Sequence, residues 1–137
     1  MQEIWVAAKS IILFDRKVLL IKRSKLAGGS EGEWEIPGGG LKFGEDLQEC
    51  LCREVREEVG LSIRVDRLLY AMTKLLTPQR QIVGLTYLSD ADSDKVTLSH
   101  EHTDFLWATR EQIMRMLNKS MLRDFSNNSV FDILEID

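Results

Sequence analysis

Cysteine, basic excess and long apolar runs are all scarce in this sequence, and each scarcity excludes something. The 137 residues include two cysteines, Cys50 and Cys52. If their segment is helical they point to nearly opposite sides and cannot bridge each other, so they read as reduced packing thiols. Lysine and arginine total 18 against 22 aspartate and glutamate, a formal net charge of -4. That balance excludes the electrostatic footprint of a nucleic-acid polymer as partner. An acidic chain can still take an anionic substrate if a metal neutralises it. No stretch approaches the ~20 apolar residues that span a bilayer, and the N-terminus has no basic region followed by an apolar run. The expectation is a cytoplasmic protein without a membrane partner. Repeats and low-complexity linkers are also missing. With 44% hydrophobic residues, the length suits one core, so residues 1–137 are expected to form a single domain.

What is there has a clear order along the chain. Trp5 to Leu13 and Lys17 to Ile21 are apolar and β-branched around Asp15-Arg16, which predicts a hairpin. Ser24 to Gly32 reads as an exposed loop. A short extended piece, Trp34 to Pro37, runs into Gly38, Gly39 and Gly40. Asp46 to Val59 places Leu47, Leu51, Val55 and Val59 at four-residue steps and ends at Gly60, which predicts a helix with a left-handed cap. Leu61 to Leu76 and Gln81 to Leu88 read as strands about a turn at 77–80, and 90–95 as a polar loop. A short strand follows at Asp104 to Ala108, then helices over Arg110 to Leu117 and Val130 to Ile136. The interleaving lacks a regular βαβ rhythm and favours a mixed sheet covered by helices.

The chemistry gathers on the first helix. At about 100° per residue, Glu54, Glu57 and Glu58 fall on one side, beside the apolar spine. Neighbouring like charges repel by a few tenths of a kcal/mol per pair, and acids near a helix C-terminus oppose the macrodipole. Such a cluster suits a hard cation, which takes oxygen ligands. Its plain alternative is a solvated acidic face tempered by Arg53 and Arg56, with Arg53 pairing to Glu57. The glycines upstream tip the balance, because they let backbone approach a ligand closely. Glu45, just ahead of the helix, is placed to pair with Arg53 or reach a metal.

The run GGLKFGEDLQECLCREVREEVGL, Gly39 to Leu61, resembles the Nudix box of the Nudix hydrolase superfamily. Gly39, Glu45, Arg53, Glu54, Val55, Glu57, Glu58, Gly60 and Leu61 fill every fixed position of that signature. The resemblance implies an α/β fold of the α/β/α sandwich type, with a mixed β-sheet and a loop-helix-loop catalytic motif binding Mg²⁺ or Mn²⁺. It implies hydrolysis of a phosphoanhydride bond by attack of a metal-associated water on phosphorus. Glu54, Glu57 and Glu58 would be the metal ligands, joined by a backbone carbonyl of the Gly38-Gly39 turn. Glu57 or Glu58 would also be able to act as base, and Arg53 and Glu45 would orient the cluster.

Other positions carry weaker resemblances. Glu101, in His100-Glu101-His102, is similar to a later-loop glutamate that serves as base in some relatives; the plain reading is a loop acid. His100 and His102 read as surface or hydrogen-bonding residues. Arg23 resembles a basic position that some relatives set against substrate phosphate, with a solvated arginine as the alternative. Trp34, Phe43, Tyr70, Phe105 and Trp107 are candidates for stacking on a base or for the core. The substrate implied is a small-molecule nucleotide, a nucleoside diphosphate linked to another moiety. Pro78 stands where some relatives acting on ADP-ribose have a proline, and nucleoside triphosphates are equally compatible. The rivals are a non-catalytic Nudix module that senses a nucleotide and the isoprenoid diphosphate isomerases, in whose chemistry Cys50 and Cys52 have no place. Dimers are common among relatives, so a homodimer is compatible with the resemblance.

Overall fold

A computed structural model describes residues 1–27 and 30–137. Its strands are β1 (Glu3–Phe14), β2 (Lys17–Arg23), β3 (Trp34–Glu35), β4 (Gly38–Gly40), β5 (Ile63–Thr77), β6 (Arg80–Ala91) and β7 (His102–Ala108). The helices are α1 (Leu47–Val59), α2 (Arg110–Met116), α3 (Lys119–Asn127) and α4 (Val130–Ile133). The expected mixed sheet with helices is present.

β1 organises the sheet. It runs parallel to β6 from Glu3 to Leu13, while its other edge is shared between two partners. Ala7 to Lys9 pair antiparallel with β4, and only Leu13 and Phe14 pair with β2. The predicted hairpin therefore exists only at its tip, where Asp15 (φ 49°) and Arg16 (φ 63°) make the left-handed turn that matches strand twist. β2 then diverges to pair with β3 and β7. This split in β1's pairing leaves the glycine strand β4 lying beside Lys9.

Alternation along the strands builds two cores. Ile11, Val18 and Leu20 face Ile113, Phe125 and Val130 of the C-terminal helices. Ile12, Leu19 and Ile21 face Leu51, Val55 and Val59 of α1. The period-two pattern of neighbours such as Leu19 and Leu20 is what lets one strand serve both layers. No helix among the described residues is long and apolar enough to cross a membrane.

Three expectations are corrected. Between Leu117 and Val130, where no element is expected from the sequence, α3 forms, with Asn118 capping it by accepting a hydrogen bond from Met121 N at 2.8 Å. The predicted helix from Val130 stops at Ile133. Beyond it Leu134 and Ile136 are buried and Glu135 exposed, an extended alternation. The tail's backbone is satisfied elsewhere: Asp137 N donates to Arg16 O (2.9 Å) and Asp137 O accepts from Arg110 N (2.7 Å). Finally, the loop from Ser24 contains a 3-10 turn at Lys25–Ala27, and Gly28 and Gly29 lie outside the described residues.

Candidate active site

Helix α1 is held firmly before it presents any acid. Asp46 caps it by accepting from Glu49 N at 2.8 Å, and Gly60 (φ 71°) closes it by donating to Arg56 O at 3.0 Å. Leu51, Val55 and Val59 are fully buried, each worth ~1.5–3 kcal/mol. That outweighs the few tenths of a kcal/mol by which adjacent acids repel. The apolar spine decides the helix's seat, and the acids follow.

Arg53 gathers three of them. Its Nε and Nη2 donate to the two Glu45 oxygens at 2.7 and 3.0 Å, a bidentate fork. Nη1 donates to Glu54 at 2.8 Å and to Glu57 at 3.3 Å, and Nη2 also reaches Gly40 O at 3.1 Å. The Arg53 hydrogen bond, with help from the Lys42 amide, holds the Glu45 carboxyl down at about 2. The same contact with Glu45 raises the guanidinium further above its ordinary value.

The glycine strand fits against these acids. A Cβ on Gly39 would land on the Glu54 carboxylate, so only glycine allows that approach. Gly38 (φ 144°) donates its N–H to Glu58 Oε1 at 2.8 Å. A Cβ there would meet Lys9 Cα at 2.6 Å and Cδ at 2.8 Å. Glu58 differs from its neighbours in being buried, at 8% exposure, while the Glu57 side chain is 56% exposed. Burial pushes the Glu58 carboxyl up to about 7, against the pull of Lys9 and the Gly38 amide. Cys50 Sγ lies 3.6 Å from the Gly39 carbonyl, and both cysteines are free.

These residues fit a hard divalent cation: the donors are all oxygen, they lie on one helix face, and Glu54 occupies a cradle that a side chain at 39 would fill. Arg53 and the Gly38 amide hold the carboxylates apart, and among the described residues no three metal-ligating side chains converge on one point.

A second cluster, absent from the sequence reading, lies behind the first. Glu35, on β3, accepts from Arg23 Nη1 at 2.9 and 3.1 Å, pairs with Lys9 Nζ at 3.7 Å, and meets His102 Nε2 at 2.8 Å. Burial alone would raise its carboxyl, but Lys9, the His102 hydrogen bond and Arg23 together lower it to about 2. Arg23 also donates to Ala27 O at 2.8 Å, so this predicted phosphate contact is engaged with the protein. Because Glu35 is ionised, His102 Nε2 is the donor; its Nδ1 is buried and has no hydrogen-bond partner among the described residues. Three positively charged or proton-donating groups at distant positions carry no common spacing, which is why the cluster left no motif.

The remaining candidates are dispersed. Glu101 is exposed on the loop before β7, where Ser24 N donates to its carbonyl and Ser99 N is tied to Glu58 O at 3.0 Å. That tie anchors the loop at the end of α1. Phe43 is wholly exposed, Phe105 is 38% exposed, and Trp107 packs on Phe14 with its indole donating to Asp94 O. Trp34 packs at the margin of the core. Tyr70 is buried, yet it borders a cavity of about 150 Å³ together with Ile36, Met72, Ile82, Met121 and Lys9.

The fold and the box together define a family. A family model described as NUDIX domain matches residues 5–127, and the chain belongs to the Nudix family. Its relatives include a nucleoside triphosphatase, NudI, of Enterobacter sp. (strain 638), 28% identical, with 82% of this chain and 87% of that protein aligned. An ADP-ribose pyrophosphatase of Methanocaldococcus jannaschii is 34% identical over 62% of this chain and half of its own length. Among solved structures, a MutT protein from Methanosarcina mazei Go1 superposes with a TM-score of 0.84, 96% of each chain covered, at 24% identity. The chain is thus a Nudix hydrolase in fold and family, and members of the family are generally metal-dependent.

Proposed function

We propose that this Nudix hydrolase cleaves the pyrophosphate linkage of a nucleoside diphosphate joined to a further group, of the nucleoside triphosphate or nucleotide-sugar type. Mg²⁺ or Mn²⁺ would be held by Glu54, Glu57 and Glu58 with the Gly39 carbonyl. The observation that carries this reading is the juxtaposition of helix-borne acids, seated on a glycine strand, with an apolar cavity whose wall includes Lys9. The cavity takes a flat base, and the acids take the phosphates.

A divalent ion supplies charge neutralisation of the diphosphate and acidifies water. The chain's own residues do the rest. Arg53 fixes the directions of Glu54 and Glu57 while Glu45 fixes Arg53. Glu58, buried on the Gly38 amide, and Glu101, on its exposed loop, are the two acids suited to accept a proton from the attacking water. The names of the relatives support nucleotide substrates of both kinds, a triphosphate for one and ADP-ribose for another.

The test is a panel of nucleoside triphosphates, nucleotide sugars, ADP-ribose and dinucleotides assayed with Mg²⁺, with Mn²⁺ and with excess EDTA. Turnover of one or more members with metal, and none in EDTA, is expected. Full turnover in EDTA, or no turnover of any member, overturns the reading.

A further inference from the structure

Lys9 is the residue where the cavity and the box come together. Its side chain runs along Gly38, close enough that any substituent on that glycine would strike it. Its ammonium donates to Ile36 O at 3.3 Å and pairs with Glu35 at 3.7 Å, and its side chain also lines the cavity. The groups that act most on Glu58 besides burial are Lys9, the Gly38 amide, His102 and Glu35. Of these only Lys9 also borders the cavity.

The carboxylate of Glu35 is shared. Lys9 and Arg23 both pair with it, its third partner is the His102 ring, and Lys9 also acts on the buried carboxyl of Glu58. Arg23 donates to Glu35 and to Ala27 O. The Lys9 ammonium has three N–H donors and, among the described residues, two protein partners, so it keeps one donor for a ligand.

We propose that Lys9 is a substrate-binding residue, whose ammonium holds the phosphate nearest the nucleoside as the chain of phosphates leaves the cavity for the acids of α1. The inference rests on the proposed function above and assigns to Lys9 a role that the sequence reading considered for Arg23. Glu35 acts as its positioning residue: shared among Lys9, Arg23 and His102, it fixes the ammonium without claiming its third donor. A lysine suits this place, because a compact ammonium on a flexible stem serves as a point charge where a planar fork would need room.

The test is calorimetric binding in EDTA, which removes metal as a source of phosphate affinity. The ligands are adenosine, guanosine, cytidine and uridine, each against its 5′-monophosphate. Wild-type protein is expected to bind at least one monophosphate about tenfold to a hundredfold more tightly than its nucleoside, the range of one charge-assisted contact. Lys9→Met should abolish that preference while leaving nucleoside affinity in place, and Lys9→Arg should restore part of it. Because Lys9→Met leaves Glu35 short of a partner, Lys9→Gln serves as a second variant, keeping a donor toward Glu35 without the charge. In turnover with Mg²⁺, both uncharged variants should raise KM about tenfold with a smaller change in kcat. A monophosphate preference that survives in Lys9→Met or Lys9→Gln overturns the proposal, and so does its absence from the wild type. If the wild type lacks the preference yet hydrolyses the nucleotide panel, the Lys9 assignment fails and the proposed function stands. If it hydrolyses nothing, the functional reading fails on its own.

Discussion

Two charged clusters flank the glycine strand, and they are built in opposite senses. In the first, one cation, Arg53, serves Glu45, Glu54 and Glu57, all within 8 residues of it in sequence. In the second, one carboxylate, Glu35, is met by Lys9, Arg23 and His102, with His102 lying 67 residues away. The first is rich in acid and includes the exposed Glu57; the second is rich in base, half-buried, and includes the buried His102. A site that must join a cation to a polyanion needs both signs, and this fold separates them across Gly38 and Gly39. The acid-rich side suits a metal ion, and the base-rich side suits phosphate.

Removing an acid from the first cluster should break the comparison most severely. Glu57→Gln is expected to lower kcat about a thousandfold or more, with near-UV circular dichroism unchanged, because a lost ligand misplaces the ion and its water. Glu58→Gln should do the same to turnover. In EDTA it should melt at a higher temperature than wild type, since it removes a carboxylate buried at 8% exposure with one amide donor. A near-normal rate in both variants would remove the basis for a metal site on α1.

Glu101→Gln comes next. Its exposed loop is anchored at Glu58 O, and an acid not committed to a cation is the stronger base. The expected loss is about a hundredfold in kcat, at the lower end of general-base contributions, with metal affinity preserved. If the variant keeps more than about a third of the wild-type kcat between pH 6 and 9, the base lies within the box.

The two clusters also differ in how far the sequence announces them. The box cluster was legible because helical spacing converts positions 53, 54, 57 and 58 directly into neighbours, and a cap at Asp46 and a stop at Gly60 bound the helix that carries them. The Glu35 cluster was not legible, because strand pairing unites β1, β2, β3 and β7 at separations no local pattern encodes. The mixed sheet is legible in the irregular interleaving of strands and helices, and most strands in apolar, β-branched runs bounded by turn residues. Helix α3 is hard to read because it has 9 residues and buries only Phe125 fully, so its apolar face of Met121, Leu122 and Phe125 behind the Asn118 cap is too short to show a helical period. The tail after Ile133 was misread because its alternation spans only four residues.

Acid should erode the second cluster, and with it the Arg53–Glu45 pair of the first, whose carboxyl is held equally low. The drop of the Glu35 carboxyl from its ordinary 4.5 to about 2 corresponds to stability on the order of 3 kcal/mol, fully present above about pH 4.5. The folded value is depressed, so that contribution is lost as pH falls from about 4.5 toward 2. Denaturant melts at pH 6, 4 and 3 should show it, and Glu35→Gln should make the profile shallower over this interval, leaving the share of Glu45. The variant should also be less stable at pH 6, because Lys9 and Arg23 then lack their counter-charge. Parallel profiles for variant and wild type would show that other carboxylates carry the acid response.

The smallest effect, and the one that distinguishes charge from geometry in the first cluster, is expected at Arg53. Its guanidinium contacts Glu45, Glu54, Glu57 and Gly40 O, so its loss frees the directions of the acids while increasing their net negative charge. These consequences oppose each other for a cation: charge alone would tighten metal binding, and lost orientation would weaken it. Orientation should win, because a supporting partner of a metal ligand typically contributes ~10–100-fold. Arg53→Ala is therefore expected to lower kcat and weaken Mg²⁺ affinity about tenfold to thirtyfold, with KM for the nucleotide at saturating metal nearly unchanged. Arg53→Lys separates the causes, since it restores the charge without the fork that reaches both Glu45 oxygens. A lysine variant as impaired as the alanine assigns the role to geometry. Recovery to wild-type rates assigns it to charge, and a large rise in KM for either variant moves Arg53 from positioning the acids to touching the substrate.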